Sequence, residues 1–85
     1  MSPEKNIKHA ILKKRITDDG LVEIQDHVQL GTDYLVDINS ITIGKGFNIE
    51  KKVLWEREIV YAKDGDEWLW FPTELLEIEG VKNDR

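Results

Sequence analysis

From Tyr34 onward the apolar residues of this chain fall on alternate positions. Tyr34, Val36 and Ile38 share one parity, and Asp37 and Asn39 stand largely on the other. A period of two marks a strand with one buried face. Ile41 and Ile43 carry the pattern toward Gly44-Lys45-Gly46, which reads as a loop. Val53, Trp55, Ile59 and Tyr61 then share a parity, with Arg57 as the exception, while Glu56 and Glu58 face the other way. This predicts a second long strand. Asp64-Gly65-Asp66-Glu67 has the favoured Asp-Gly pair of a tight hairpin. Trp68-Leu69-Trp70-Phe71 predicts a third strand, stopped by Pro72, which cannot donate to a ladder. Pro72 to Leu75 suits one 3₁₀ turn, and Leu76 and Ile78 begin a last short strand before Gly80.

The first third of the chain is less regular. Asp18-Asp19-Gly20 separates Ile11-Leu12 and Ile16 from Leu21-Val22-Glu23-Ile24, which predicts two short strands around a turn. Ser2 to Lys14 is the one stretch with partial helical spacing, opened by a Ser-Pro-Glu cap. A strand is expected from Lys8 onward. The fold class is therefore all-β, with five to six strands. The 85 residues make one domain, 1–85, with frayed tails at about 1–6 and 81–85.

Composition narrows the classes. With 40% hydrophobic and 34% charged residues the chain can bury a core. It has no cysteine, which excludes disulfides, thiolate metal sites and a cysteine nucleophile. No apolar run reaches the roughly 18–20 residues of a membrane helix, and Met1 to Asn6 lack the apolar stretch of a signal peptide. The expected location is the cytoplasm. The net charge of −5 is uneven: residues 1–17 carry +4 and the rest −9. An acidic body is repelled by phosphate backbones, so nucleic acid is disfavoured as a partner.

Two segments resemble the SH3 family. Val28-Gln29-Leu30-Gly31-Thr32-Asp33-Tyr34-Leu35-Val36-Asp37-Ile38 is similar to the stretch that ends the RT loop and enters the second SH3 strand. Trp68-Leu69-Trp70-Phe71-Pro72-Thr73-Glu74-Leu75-Leu76-Glu77-Ile78 is similar to the SH3 ending, where a proline precedes a 3₁₀ turn and the last strand. Trp55 lies 17 positions before Pro72, near the place of the SH3 groove tryptophan. The resemblance covers about residues 28–79 and implies an SH3-like barrel with a 3₁₀ turn before its last strand. Two departures bear on the ligand. Ala10-Ile11-Leu12-Lys13-Lys14 has no aromatic where peptide-binding SH3 domains are aromatic-rich, and Leu75 replaces their groove tyrosine. Proline-rich ligands pack on closely spaced aromatic faces, so these departures argue against such a ligand.

The candidate sites follow. Trp68 and Trp70 share one face of a short strand, and Leu69 and Phe71 the other. In the resembled SH3 pattern the residue before the proline is a core position, which implies Leu69 and Phe71 inside and Trp68 and Trp70 at the surface, where paired aromatics mark interaction patches. The bland alternative is that the tryptophans cover the open end of a barrel or pack under the N-terminal segment. Tyr34, Trp55, Trp68 and Trp70, with Glu67 and Glu74 as rim charges, form the expected partner-binding set. Between residues 58 and 80, Glu58, Asp64, Asp66, Glu67, Glu74, Glu77 and Glu79 face only Lys63. That is either a solvated face or a surface for a basic partner.

His9 and His27 lack metal-ligand spacing, and the 64–67 turn lacks the oxygen count of a calcium loop. Ser2 and Ser40 have no triad partners, and the 44–46 glycines lack the Lys-Ser/Thr of a phosphate loop. No metal, cofactor or catalytic residue is expected. The leading expectation is a non-enzymatic binding module acting through protein–protein contact, as a monomer or weak homodimer. One alternative is nucleic-acid contact through Lys8, Lys13, Lys14 and Arg15 beside a stacking aromatic. Another is an acidic inhibitor of a nucleic-acid enzyme.

Overall fold

The apolar alternation becomes five strands in the computed structural model, which describes residues 6–24 and 28–80. They are β1 (Ile7–Leu12), β2 (Asp33–Asn48), β3 (Val53–Asp64), β4 (Glu67–Pro72) and β5 (Leu76–Ile78). A 3₁₀ turn over Thr73–Leu75 precedes the last strand, as expected, and the fold class is mainly β. All neighbours are antiparallel, in one sheet of order β4-β3-β2-β1-β5. The outermost strands β4 and β5 do not pair with each other, so the sheet is open and not a hydrogen-bonded closed barrel. Of the expected frayed tails, residues 1–5 and 81–85 lie outside the described residues, as does His27.

The core follows from period-two placement. Ala10 and Leu12 of β1, Tyr34 and Val36 of β2, Val60 and Ala62 of β3, Phe71 of β4 and Leu76 and Ile78 of β5 are all buried. Register brings them together: Ala10 stands opposite Tyr34 on one side and Ile78 on the other, and Val60 opposite Phe71. Val28 and Leu75 close the cluster from the loop and the 3₁₀ turn. Each large side chain buried here contributes about 1.5–3 kcal/mol.

β2 and β3 run past this core as a projecting hairpin, and their pairing shifts register on the way. Asp37 pairs with Tyr61, yet the next pair is Thr42 with Ile59. Residues 38–41 of β2 therefore face one residue of β3, a bulge that bends and twists the ribbon. The Ser40 hydroxyl holds it closed. It donates to the Asp37 carbonyl and accepts the Tyr61 amide at 3.0 Å. Ser40 thus has a structural task.

At this point the buried side of β3 changes. Trp55, Arg57 and Ile59 are covered on one face, whereas Val60 and Ala62 are covered on the other. Tyr61, expected on the covered parity, is therefore 38% exposed.

Gly44-Lys45-Gly46 corrects the sequence reading: it is not a loop but the interior of β2. Glycine weakens a strand unless something must approach the backbone closely. Here Ile59 lies over Gly44 and the Trp55 indole over Gly46, and a Cβ at either position would collide with them. The real turn is 49–52, where Asn48 caps the loop by accepting the Lys51 amide and Lys52 takes a positive φ.

Residues 13–24 form a folded-back loop, not two regular strands. One bridge, Ile16 with Glu23, links its arms. The buried Thr17 hydroxyl donates to Asp19 at 2.6 Å and accepts the Val22 amide. The loop is tied to the body by Lys13 N–H donating to the Leu75 carbonyl. It is tied to the hairpin by the Asn48 side chain donating to the Leu21 carbonyl.

Candidate functional site

The side change in β3 is what builds the site. Trp55, Arg57 and Tyr61 share one side of β3; the 13–24 loop reaches that side at Arg57, while Tyr61 stays open. Trp55 crosses the bare backbone of Gly46 and meets Trp70 of β4, with ring centroids 5.7 Å apart and planes tilted by 34°. Offset or tilted aromatic pairs of this kind are favoured over face-to-face stacking. Trp70 is 42% and Trp68 39% exposed, while Phe71 is buried and Leu69 packs against the core. Tyr61 stands directly opposite Trp70 and extends the open aromatic face.

Arg57 fixes the back of this face. Its side chain is only 14% exposed, and its guanidinium donates to Asp19 at 2.6 Å and to Glu74 at 3.1 Å. It also lies over the Trp55 ring, 5.7 Å from the centroid, within the range of a cation–π contact. One cation thus joins the loop, the 3₁₀ turn and the aromatic pair. The Arg57 guanidinium, helped by the Thr17 hydroxyl and the Leu21 amide, holds the Asp19 carboxyl well below the usual carboxylate range. Glu74 also accepts the Asp18 amide and so serves as a joint.

Beside the tryptophans lies a pocket of about 350 Å³ between the loop and the β3–β4 turn. Its apolar walls include Val22, Ile24, Val28, Leu69 and Phe71, with Trp70 at one side. Glu23, Asp64 and Glu67 also line it. Tyr34 lies behind, with its ring 5.3 Å from Phe71. Burial, and then the Asp64 charge, push the Tyr34 phenol up from its ordinary value.

The expected set is therefore only partly gathered. Trp55 and Trp70 touch, Trp68 lies on the same short strand, Glu67 lines the pocket and Glu74 anchors Arg57. Tyr34 leaves the set, because its side of β2 faces the core and it is 6% exposed.

Of the basic residues, Lys13 and Lys14 do not stand as bare cations. Lys13 pairs with Glu77 at 3.1 Å and Lys14 with Asp18 at 2.7 Å. Lys8 is half-buried on β1, and Arg15 is half-buried in the loop with an interaction of its own. His9 meets Asp33 at 3.0 Å on the surface. Among the described residues no group of three or more His, Asp or Glu is placed to hold a metal ion, and no helix is long and apolar enough to cross a membrane.

Arg57, Glu23 and the pocket itself are what sequence reasoning missed; Asp64 and Glu67 stood in the expected acidic face. The signal for Arg57 was present: a charged residue on the covered parity of an alternating strand predicts an anchored ion pair. The pocket had no such signal, because its walls come from a loop and two strand ends distant in sequence. No family model, no curated protein and no solved structure matches this chain.

Proposed function

We propose that this chain is a small, non-enzymatic, SH3-like binding module that docks a protein partner through its aromatic and acidic surface. The strand order, with a 3₁₀ turn between β4 and the last strand, is compatible with the SH3-like reading. The observation that carries the binding role is the Trp55–Trp70 pair, half-open to solvent and braced from behind by Arg57. Tryptophan dominates the energetic centres of protein interfaces. A surface already held in place loses little freedom on binding, which favours affinity. Glu67 and neighbouring acids supply the polar rim that such centres need.

The test compares the partners recovered from the host by the native chain and by Trp55→Ala and Trp70→Ala variants. Both variants are expected to unfold cooperatively by circular dichroism yet to lose partner affinity at least tenfold, about 1.4 kcal/mol. A folded variant that keeps full affinity removes the proposal.

A further inference from the structure

We infer that the pocket between the 13–24 loop and the β3–β4 turn seats one basic side chain of the protein partner, its alkyl stem on the apolar walls and its cation among Glu23, Asp64 and Glu67. This rests on the docking role proposed above and names the chemistry of its ligand. The volume, about 350 Å³, is at the small end of ligand pockets. It suits a side chain better than an extended cofactor. The walls demand two chemistries at once: Leu69, Phe71 and Val28 offer an apolar bed, and three carboxylates stand with them. A neutral apolar ligand would use only the first, and an inorganic cation only the second. Lysine and arginine carry both, a methylene stem and a charged end.

Charge supports the same occupant. Elsewhere the carboxylates of the loop and its neighbours have cationic partners within the chain, as with Asp18, Asp19, Glu74 and Glu77. Glu23, Asp64 and Glu67 have none among the described residues, and no described Lys or Arg lines the pocket. Three like charges around an apolar recess focus a negative potential on it. The ring of Trp70 adds a face that attracts a cation.

The experiment is a two-dimensional NMR titration of the full chain with three blocked amino acids: Nα-acetyl-lysine methylamide, its arginine counterpart, and the uncharged norleucine counterpart. The lysine or arginine probe is expected to move the amides of Leu69 and Phe71 and the indole of Trp70. Norleucine is expected to bind about fivefold more weakly, a difference on the scale of one partly exposed ion pair. The double variant D64N/E67Q keeps the walls and should reduce the basic probe to the norleucine level. Equal binding of norleucine, shifts that map elsewhere, or undiminished binding to the double variant would each overturn the inference.

Trp55 does not line the pocket. Trp55→Ala should therefore keep the Leu69 and Phe71 amide shifts of the probe titration while costing partner affinity. Partner affinity that survives Trp55→Ala and Trp70→Ala, together with an intact titration, would remove the docking role and leave the pocket. The reverse pattern would remove the pocket and leave the docking role.

Discussion

The two ends of the β2–β3 hairpin obey the same alternation and meet different fates. At the body end, Val36, Val60 and Ala62 are fully buried in a core built from all five strands and the 3₁₀ turn. At the projecting end, Phe47 and Leu54 face each other across the ladder and are 52% and 77% exposed. The difference lies in what covers each face. The body has β1, β4 and β5 against it, whereas the projection has the 13–24 loop on one face and solvent on the other. An isolated two-stranded ribbon is marginal in water, so the projection depends on its loop contacts through Arg57 and Asn48. Alternation alone says that a strand has two faces. Neighbouring elements decide which face is covered.

Variants can break this contrast in order of effect. Phe71→Ala, in the body, should cost about 3–5 kcal/mol, because it removes a fully packed ring and leaves a cavity. Thermal unfolding should show it as the largest loss. Arg57→Ala should cost about 1.5–3 kcal/mol, the scale of hydrogen bonds to charged groups. It should also loosen the 13–24 loop, read as faster amide exchange at Leu21 and Val22.

Acid titration tests the same link. Asp19 is held below its ordinary range in the folded chain, so its stabilisation is complete above that range and is lost as pH falls through the depressed value. Asp19→Asn should therefore flatten the decline in stability below about pH 4.

Gly46→Ala should cost about 1 kcal/mol, at the low end of overpacking, since the Trp55 ring can swing aside. Its clearer sign should be altered tryptophan fluorescence as Trp55 leaves Trp70. Leu54→Ser, at the open tip, should change stability by no more than about 0.5 kcal/mol. A larger loss would mean that the tip is covered in solution, by a second copy for instance, and sedimentation would reveal it.

Much of the fold was legible because it depends on local signals. The Asp64-Gly65 turn, the stop at Pro72 and the short last strand all follow from residues adjacent in sequence. The reading failed where distant residues decide. Gly44 and Gly46 looked like loop residues because their reason, the Ile59 and Trp55 side chains, comes from the opposite strand. Tyr34 is buried on the parity it shares with Val36, so parity was the better guide there than its place in the binding set, whereas Tyr61 lies exposed because the covered side of β3 changes between Ile59 and Val60. Parity put Trp68 and Trp70 on one side of β4, and the SH3 resemblance was needed to turn that side outward; the partnership of Trp55 with Trp70 was not legible.

β1 has a consequence for how the chain reaches this structure. One of its edges ladders with β2, from Ile11 with Asp33 to Ile7 with Asp37, and the other with the more distant β5, where Leu12 meets Leu76 and Ala10 meets Ile78. The second seam joins opposite ends of the described chain. Pairings over such separations are slow to form, because a long loop must close before any contact rewards it. A growing polypeptide can make the β2–β3–β4 meander early, but Leu12 and Ala10 lack their last cover until residues 76–78 have been synthesised. Completion of the domain thus waits on its final few residues, and removing Leu76 to Ile78 should abolish cooperative folding instead of merely trimming an edge.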